Sequence, residues 1–144
     1  MSLDLTNTTI LFADDESSIT RFVKMMLDDL RVSHVYAAKD GNEALELLGE
    51  YPDEIDLVIC DWNMPSLSGI DLLMQIRTVD SDMPFLMMTG RRDVDSVIRA
   101  RDAGITDYLA KPFSAEQLEE KIARLGSRAK RIEPGRRIES IGGQ

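Results

Sequence analysis

Five short apolar runs recur along the chain at an even pace, and they constrain its fold more than any other feature. Thr9-Ile10-Leu11-Phe12, Val32 to Ala37, Leu57-Val58-Ile59-Cys60, Phe85-Leu86-Met87-Met88 and Tyr108-Leu109-Ala110 are mostly continuous rather than alternating. Strands of that kind are buried on both faces, as in a parallel sheet covered by helices. The segments between them carry helical spacing. Ile19, Phe22, Val23, Met26, Leu27 and Leu30 follow i, i+3, i+4, i+7, i+8, i+11, the stripe of an amphipathic helix. Leu118, Ile122 and Leu125 repeat it more sparsely. Asp40 with Glu43, and Ser114 with Gln117, have capping-box spacing, and Gly104 suits a helix end. Strand and helix alternate five times over. The pattern predicts an α/β fold, a five-stranded parallel sheet with helices on both faces.

Charge and composition narrow the chemistry. The chain of 144 residues has a formal charge of −9, unevenly spread. Residues 126–144 hold Arg128, Lys130, Arg131, Arg136 and Arg137 against Glu133 and Glu139, a local +3, so residues 1–125 carry −12. A body that acidic repels phosphate backbones, which argues against direct nucleic-acid binding and for a divalent cation. One cysteine and one histidine exclude a disulfide framework and the usual zinc cages. No apolar run is long enough to span a bilayer, and the first ten residues do not read as a secretory signal. The expectation is a cytoplasmic protein.

In open parallel sheets, ligands bind beyond the carboxyl ends of the strands, so chemistry is sought there. The first strand ends in Asp14-Asp15-Glu16, the third in Asp61, the fourth in Thr89-Gly90 and the fifth in Lys111-Pro112. Each has a bland explanation taken singly: a helix cap, a turn former, a hydroxyl bonded to its own backbone, a solvated charge. Together they place the carboxylates of Asp14, Asp15 and Asp61, a hydroxyl and an ammonium at one edge of one sheet. Crowded carboxylates repel unless a cation sits among them, and hard oxygen ligands select Mg²⁺ or a similar ion. A lysine adds a positive charge suited to phosphoryl oxygens, and a carboxylate can itself be the nucleophile of phosphoryl transfer. His34, in the second strand, has no acid–base partner that can be placed beside it. Cys60 reads as a small buried hydrophobe. Neither glycine-rich nucleotide motif is present.

The full set, Asp14-Asp15, Asp61-Trp62-Asn63-Met64-Pro65 with Gly69, Met88-Thr89-Gly90 and Lys111-Pro112-Phe113, resembles the motifs of bacterial response-regulator receiver domains. The stretch Asp61 to Pro65 is particularly similar to chemotaxis receivers, and the resemblance runs from about Thr8 to Leu125. It implies the flavodoxin-like, doubly wound receiver fold. It implies that Asp61 is the phosphoacceptor, that Asp15 and Asp61 ligate Mg²⁺ with Asp14 acting largely through water, and that Asn63 contributes its backbone carbonyl. Lys111 would pair with the phosphoryl group, Thr89 would move to hydrogen-bond it, and Tyr108 would be the aromatic switch. The Lys111-Pro112 bond matches one that is often cis. Arg91 stands where the family places a residue that tunes phosphoryl lifetime, either covering the site or simply solvated. Trp62 is expected in an exposed loop near the metal.

The function so implied is a phosphorylation-gated response regulator rather than an enzyme, assisting only its own phosphorylation and dephosphorylation. A histidine kinase or histidine phosphotransfer protein would donate to Asp61. A downstream protein would read the face built by the fourth helix, fifth strand and fifth helix. The alternative is a receiver segment of a larger regulator with an enzymatic or DNA-binding output. A phosphohydrolase with an aspartate nucleophile is a more distant rival, lacking its D-x-D-x-[TV] signature. Residues 1–125 form the expected receiver and 126–144 a basic extension or linker. Leu118, Ile122, Leu125, Ala129 and Ile132 have heptad-like spacing, which predicts a fifth helix running through Gly126 to near Glu133 and a possible homodimer.

Overall fold

The computed structural model describes residues 4–131, with side chains through Leu125. Strands and helices alternate in the expected order: β1 (Thr9–Ala13), α1 (Ser17–Asp29), β2 (His34–Ala38), α2 (Gly41–Glu50), β3 (Leu57–Asp61), α3 (Gly69–Val79), β4 (Phe85–Thr89), α4 (Val94–Ala103), β5 (Asp107–Ala110) and α5 (Ala115–Arg131). All five strands are parallel in the order β2-β1-β3-β4-β5. Every residue of β3 and β4 is buried, as continuous apolar runs require, whereas the edge strands β2 and β5 are partly open.

Strand parity sorts the apolar side chains into two cores. Leu11, Ala13, Val58, Cys60, Phe85 and Met87 face one way, onto Ala44 of α2, Ile70, Leu73 and Ile76 of α3, and Ala100 of α4. Ile10, Phe12, Leu57, Ile59, Leu86 and Met88 face the other, onto Val23 and Leu27 of α1 and Leu118, Ile122 and Leu125 of α5. Burying such side chains stabilises by roughly 1.5–3 kcal/mol each, so the stripe read in α1 is what seats that helix.

The caps follow the sequence. Asp40 accepts from the Glu43 N–H at 2.8 Å, and Ser114 and Gln117 exchange bonds reciprocally. Gly104 closes α4 at φ 98°, a conformation that glycine adopts at little cost. One boundary differs. The second strand begins at His34 rather than Val32, because the Val32 N–H closes α1 onto the Leu27 carbonyl around Arg31, at φ 63°. The fifth helix does run through Gly126, to Arg131. The expected stop near Glu133, and the Ala129 and Ile132 side chains of the seam, lie outside the described residues.

From β1 the chain crosses first to β2 on one side and later to β3 on the other, so the winding reverses between β1 and β3. The crevice at such a switch point is where open α/β sheets bind ligands.

Candidate functional site

Asp61 ends β3 and Asp14 follows β1, on the two sides of that crevice. The Asp14 N–H bonds the Ala38 carbonyl, so this residue still rides on the sheet. Both acids are buried, at 5% and 2% exposure, while Asp15 is open to solvent. Carboxylate oxygens of Asp14, Asp15 and Asp61 lie within 4.8 Å of one another. Lys111, just past β5, reaches across the cluster: its Nζ is 3.2 Å from Asp14 Oδ2 and 3.2 Å from Asp61 Oδ1. Glu16, given no role from sequence, stands 3.8 Å from the same ammonium but is largely exposed. Asp14 does not cap α1, whose N-cap is Glu16 without a side-chain cap bond; its Oδ1 instead accepts from the Glu16 N–H at 2.8 Å, in the turn that leads into the helix. Its other oxygen serves Lys111.

Burial pushes the Asp61 carboxyl above its ordinary value; Lys111 opposes this, and Asp14 and Asp15 add to it. Burial pulls the Lys111 ammonium down, but Asp61 and Asp14 more than reverse that, and its pKa ends up raised. Three carboxylates against one ammonium leave the cluster two charges negative, a deficit that a single divalent cation fills. The donors are all hard oxygens, so the set fits Mg²⁺. The Asn63 side chain is turned elsewhere, accepting from Arg91 Nη2 at 3.0 Å, which leaves its backbone carbonyl as the group it has to offer.

Thr89 ends β4 fully buried, with its Oγ1 accepting from the Arg91 N–H at 2.9 Å. The Tyr108 hydroxyl donates to the Arg91 carbonyl, and its ring packs against the α2–α4 core. Backbone groups of one residue therefore join Thr89 to Tyr108. The Lys111-Pro112 bond is cis.

One expectation changes here. Trp62 is not exposed: it is 2% accessible and belongs to the core beside Ile70. The loop after β3 folds back on itself, with Trp62 N–H on the Met88 carbonyl and Gly69 N–H on the Trp62 carbonyl, which carries the ring inward. Arg91, left open between covering the site and solvation, is exposed yet engaged. Its guanidinium carbon sits 4.9 Å from the centroid of the Trp62 ring while it holds Asn63. No spacing rule links residues 28 apart in sequence, and only a shared sheet edge brings them together. Cys60 is buried as read, its thiol pushed up by burial and then by Asp61. His34 is exposed on the edge strand, edge-on to Tyr36.

A doubly wound parallel sheet whose switch point holds two buried acids against a lysine has the layout of a receiver module. The chain belongs to the response regulator receiver domain family, whose model matches residues 10–123. It is 39% identical over 121 residues to the chemotaxis protein CheY of Pseudomonas aeruginosa, covering 83% of this chain and 96% of that one. It is 40% identical over 124 residues to chemotaxis protein CheY-3 of Vibrio cholerae, covering 85% and 94%. Among solved structures, a response regulator receiver domain protein from Clostridium thermocellum superposes with a TM-score of 0.80 at 35% identity, covering 88% of this chain and 99% of that one. Phosphorylation on aspartate and Mg²⁺ binding at the acidic pocket are features of this family. Among the described residues, no helix is long and apolar enough to cross a membrane.

Proposed function

We propose that Asp61 accepts a phosphoryl group from a phosphohistidine of a histidine kinase or phosphotransfer protein, and that the modified chain signals to a protein partner. One observation carries this reading: Asp61 is a buried carboxylate at the switch point, 3.2 Å from the Lys111 ammonium, with Asp14 and Asp15 beside it. An Asp61 oxygen attacks phosphorus, and the bond from phosphorus to the donor nitrogen breaks as the acyl phosphate forms. Asp14, Asp15, Asp61 and the Asn63 carbonyl are the groups to hold Mg²⁺, which when bound neutralises charge on the phosphoryl oxygens. Lys111, already held between Asp14 and Asp61, turns its ammonium to those oxygens. Thr89 donates its hydroxyl to them, and its bond to the Arg91 N–H passes the movement to Tyr108.

Tyr108 borders a groove of about 420 Å³ with Arg92, Ala110, Pro112, Glu120 and Lys121. Val94, Val97 and Ile98 stand exposed on the neighbouring α4. This supports the α4, β5 and α5 face as the surface a partner reads. Residues 1–125 serve as the receiver and 126–144 as a basic extension or linker, available for self-association. We place the protein in the cytoplasm, with no catalysis on other substrates and no direct contact with nucleic acid. Intact mass after incubation with acetyl phosphate and Mg²⁺ tests the assignment. The wild type gains one phosphoryl group and Asp61→Asn gains none; equal gain in the variant refutes it.

A further inference from the structure

The loop that carries Trp62 and Asn63 is wedged between two glycines. On one flank, a Cβ on Gly69 would stand 2.9 Å from Trp62 Cα and closer still to the Asp61 carbonyl oxygen. On the other, a Cβ on Gly41, the first residue of α2, would stand 2.6 Å from Leu67 Cβ and closer still to the Leu67 carbonyl oxygen. Real Cβ atoms essentially never come within 3.0 Å of such groups. The loop between is stiff. The Leu67 N–H bonds the Pro65 carbonyl at 2.7 Å across Ser66, at φ 70°, a tight γ-turn. Ser68 then caps α3 through the Asp71 N–H.

We infer that Gly41, which belongs to a different crossover and is absent from the acid cluster, is a positioning residue for the metal-binding carbonyl of Asn63. The inference rests on the Mg²⁺ reading above. A side chain at position 41 has to displace something. The start of α2 is anchored by the Asp40 cap, by the Lys39 N–H on Glu43, and by buried Ala44. On its β3 side the loop is already closed down, with the Gly69 N–H on the Trp62 carbonyl at 2.7 Å and the two backbones too close for a Cβ at Gly69. The push on Leu67 therefore travels through the γ-turn to the loop's other end, at Asn63 and Met64. The same helix supplies a control. Gly49, also in α2, has nothing within 4 Å of its Cβ position, so alanine there improves the helix and leaves the loop alone.

The test titrates Mg²⁺ into metal-free protein by calorimetry, comparing wild type, Gly49→Ala and the Gly41→Ala/Gly49→Ala double variant, with backbone NMR shifts as a second readout. Disturbing the groups that support a metal ligand weakens binding by roughly 10- to 100-fold. The double variant is expected to unfold cooperatively, to show shifted Asn63 and Met64 amides before metal is added, and to bind Mg²⁺ roughly tenfold more weakly. Its phosphorylation by acetyl phosphate should be slow at low Mg²⁺ and restored at high Mg²⁺. Wild-type Mg²⁺ affinity in a folded double variant overturns the inference. So does loss of the fold despite Gly49→Ala, which would make Gly41 a purely structural residue. Failure of the wild type itself to bind Mg²⁺ removes the functional reading instead.

Discussion

Replacing Asp61 by asparagine should make the metal-free protein more stable, even though it removes a partner of Lys111. The sign follows from the geometry. At an effective dielectric near 20, two like charges 4.8 Å apart repel by ~3.5 kcal/mol and opposite charges 3.2 Å apart attract by ~5 kcal/mol. Asp14 repels the Asp61 charge, Asp15, being exposed, repels it only weakly through solvent, and Lys111 attracts it, so the charge pairs do not by themselves disfavour it; burial is the largest influence on it. Removing the charge therefore mainly spares the desolvation of a buried carboxylate, a relief on the order of 2 kcal/mol. The asparagine amide oxygen still accepts from the ammonium. For a chain of this size, ~2 kcal/mol is roughly 5–8 °C in Tm.

The pH dependence has a definite sign. The Asp61 pKa is raised on folding, so its stabilising contribution is present below the ordinary carboxylate range and is lost as pH rises through the folded value. The advantage of Asp61→Asn is therefore largest near neutrality and shrinks on acidification. The assay is urea or thermal unfolding with a chelator, from acidic to neutral pH, then repeated with saturating Mg²⁺. Mg²⁺ stabilises the wild type in proportion to its occupancy and should reverse the order of the two proteins. An asparagine variant less stable than wild type at neutral pH without metal would refute the argument.

Other substitutions probe separate links. Asp15 is exposed, so Asp15→Ala should leave folding intact while weakening Mg²⁺ by roughly 10-fold or more; calorimetry showing wild-type affinity rules out this ligand. Thr89→Ala removes the acceptor of the Arg91 N–H, so Asp61 should still take up the phosphoryl group while the Tyr108 ring resonances barely respond. Tyr108 shifts of wild-type size on phosphorylation would show that the hydroxyl is not the coupling group. Arg31→Gly relieves a left-handed residue at the end of α1 and should add about 0.5–1 kcal/mol in urea unfolding; a loss of stability contradicts it.

The strand–helix order and the two-faced burial of the sheet were legible because each is written locally. Ile10 and Leu11 point to opposite cores since strand parity is 2, and Val23 and Leu27 meet the sheet since a helix repeats at 3.6. The positions of Asp14, Asp61, Thr89 and Lys111 at one edge followed too, since parallel strands put all their carboxyl ends on the same side. Even the caps at Asp40 and Ser114 rest on groups three residues apart.

Trp62 marks where that legibility ends. Its burial depends on a loop folding back to Gly69 and on Arg91 arriving from β4, contacts whose partners are chosen by packing and not by spacing. The same holds for Leu5, which is 1% exposed: its carbonyl takes the Thr8 and Ser33 N–H groups, so a residue outside the stretch Thr8 to Leu125 belongs to the core. It holds as well for Gly41 against Leu67, separated along the chain by an entire strand and helix. Periodicity and local bonding are properties of a few neighbouring residues, so the sequence alone determines the elements and the edge at which the chemistry stands. Which groups touch across that edge is set by close packing between distant segments, and only the folded chain decides it.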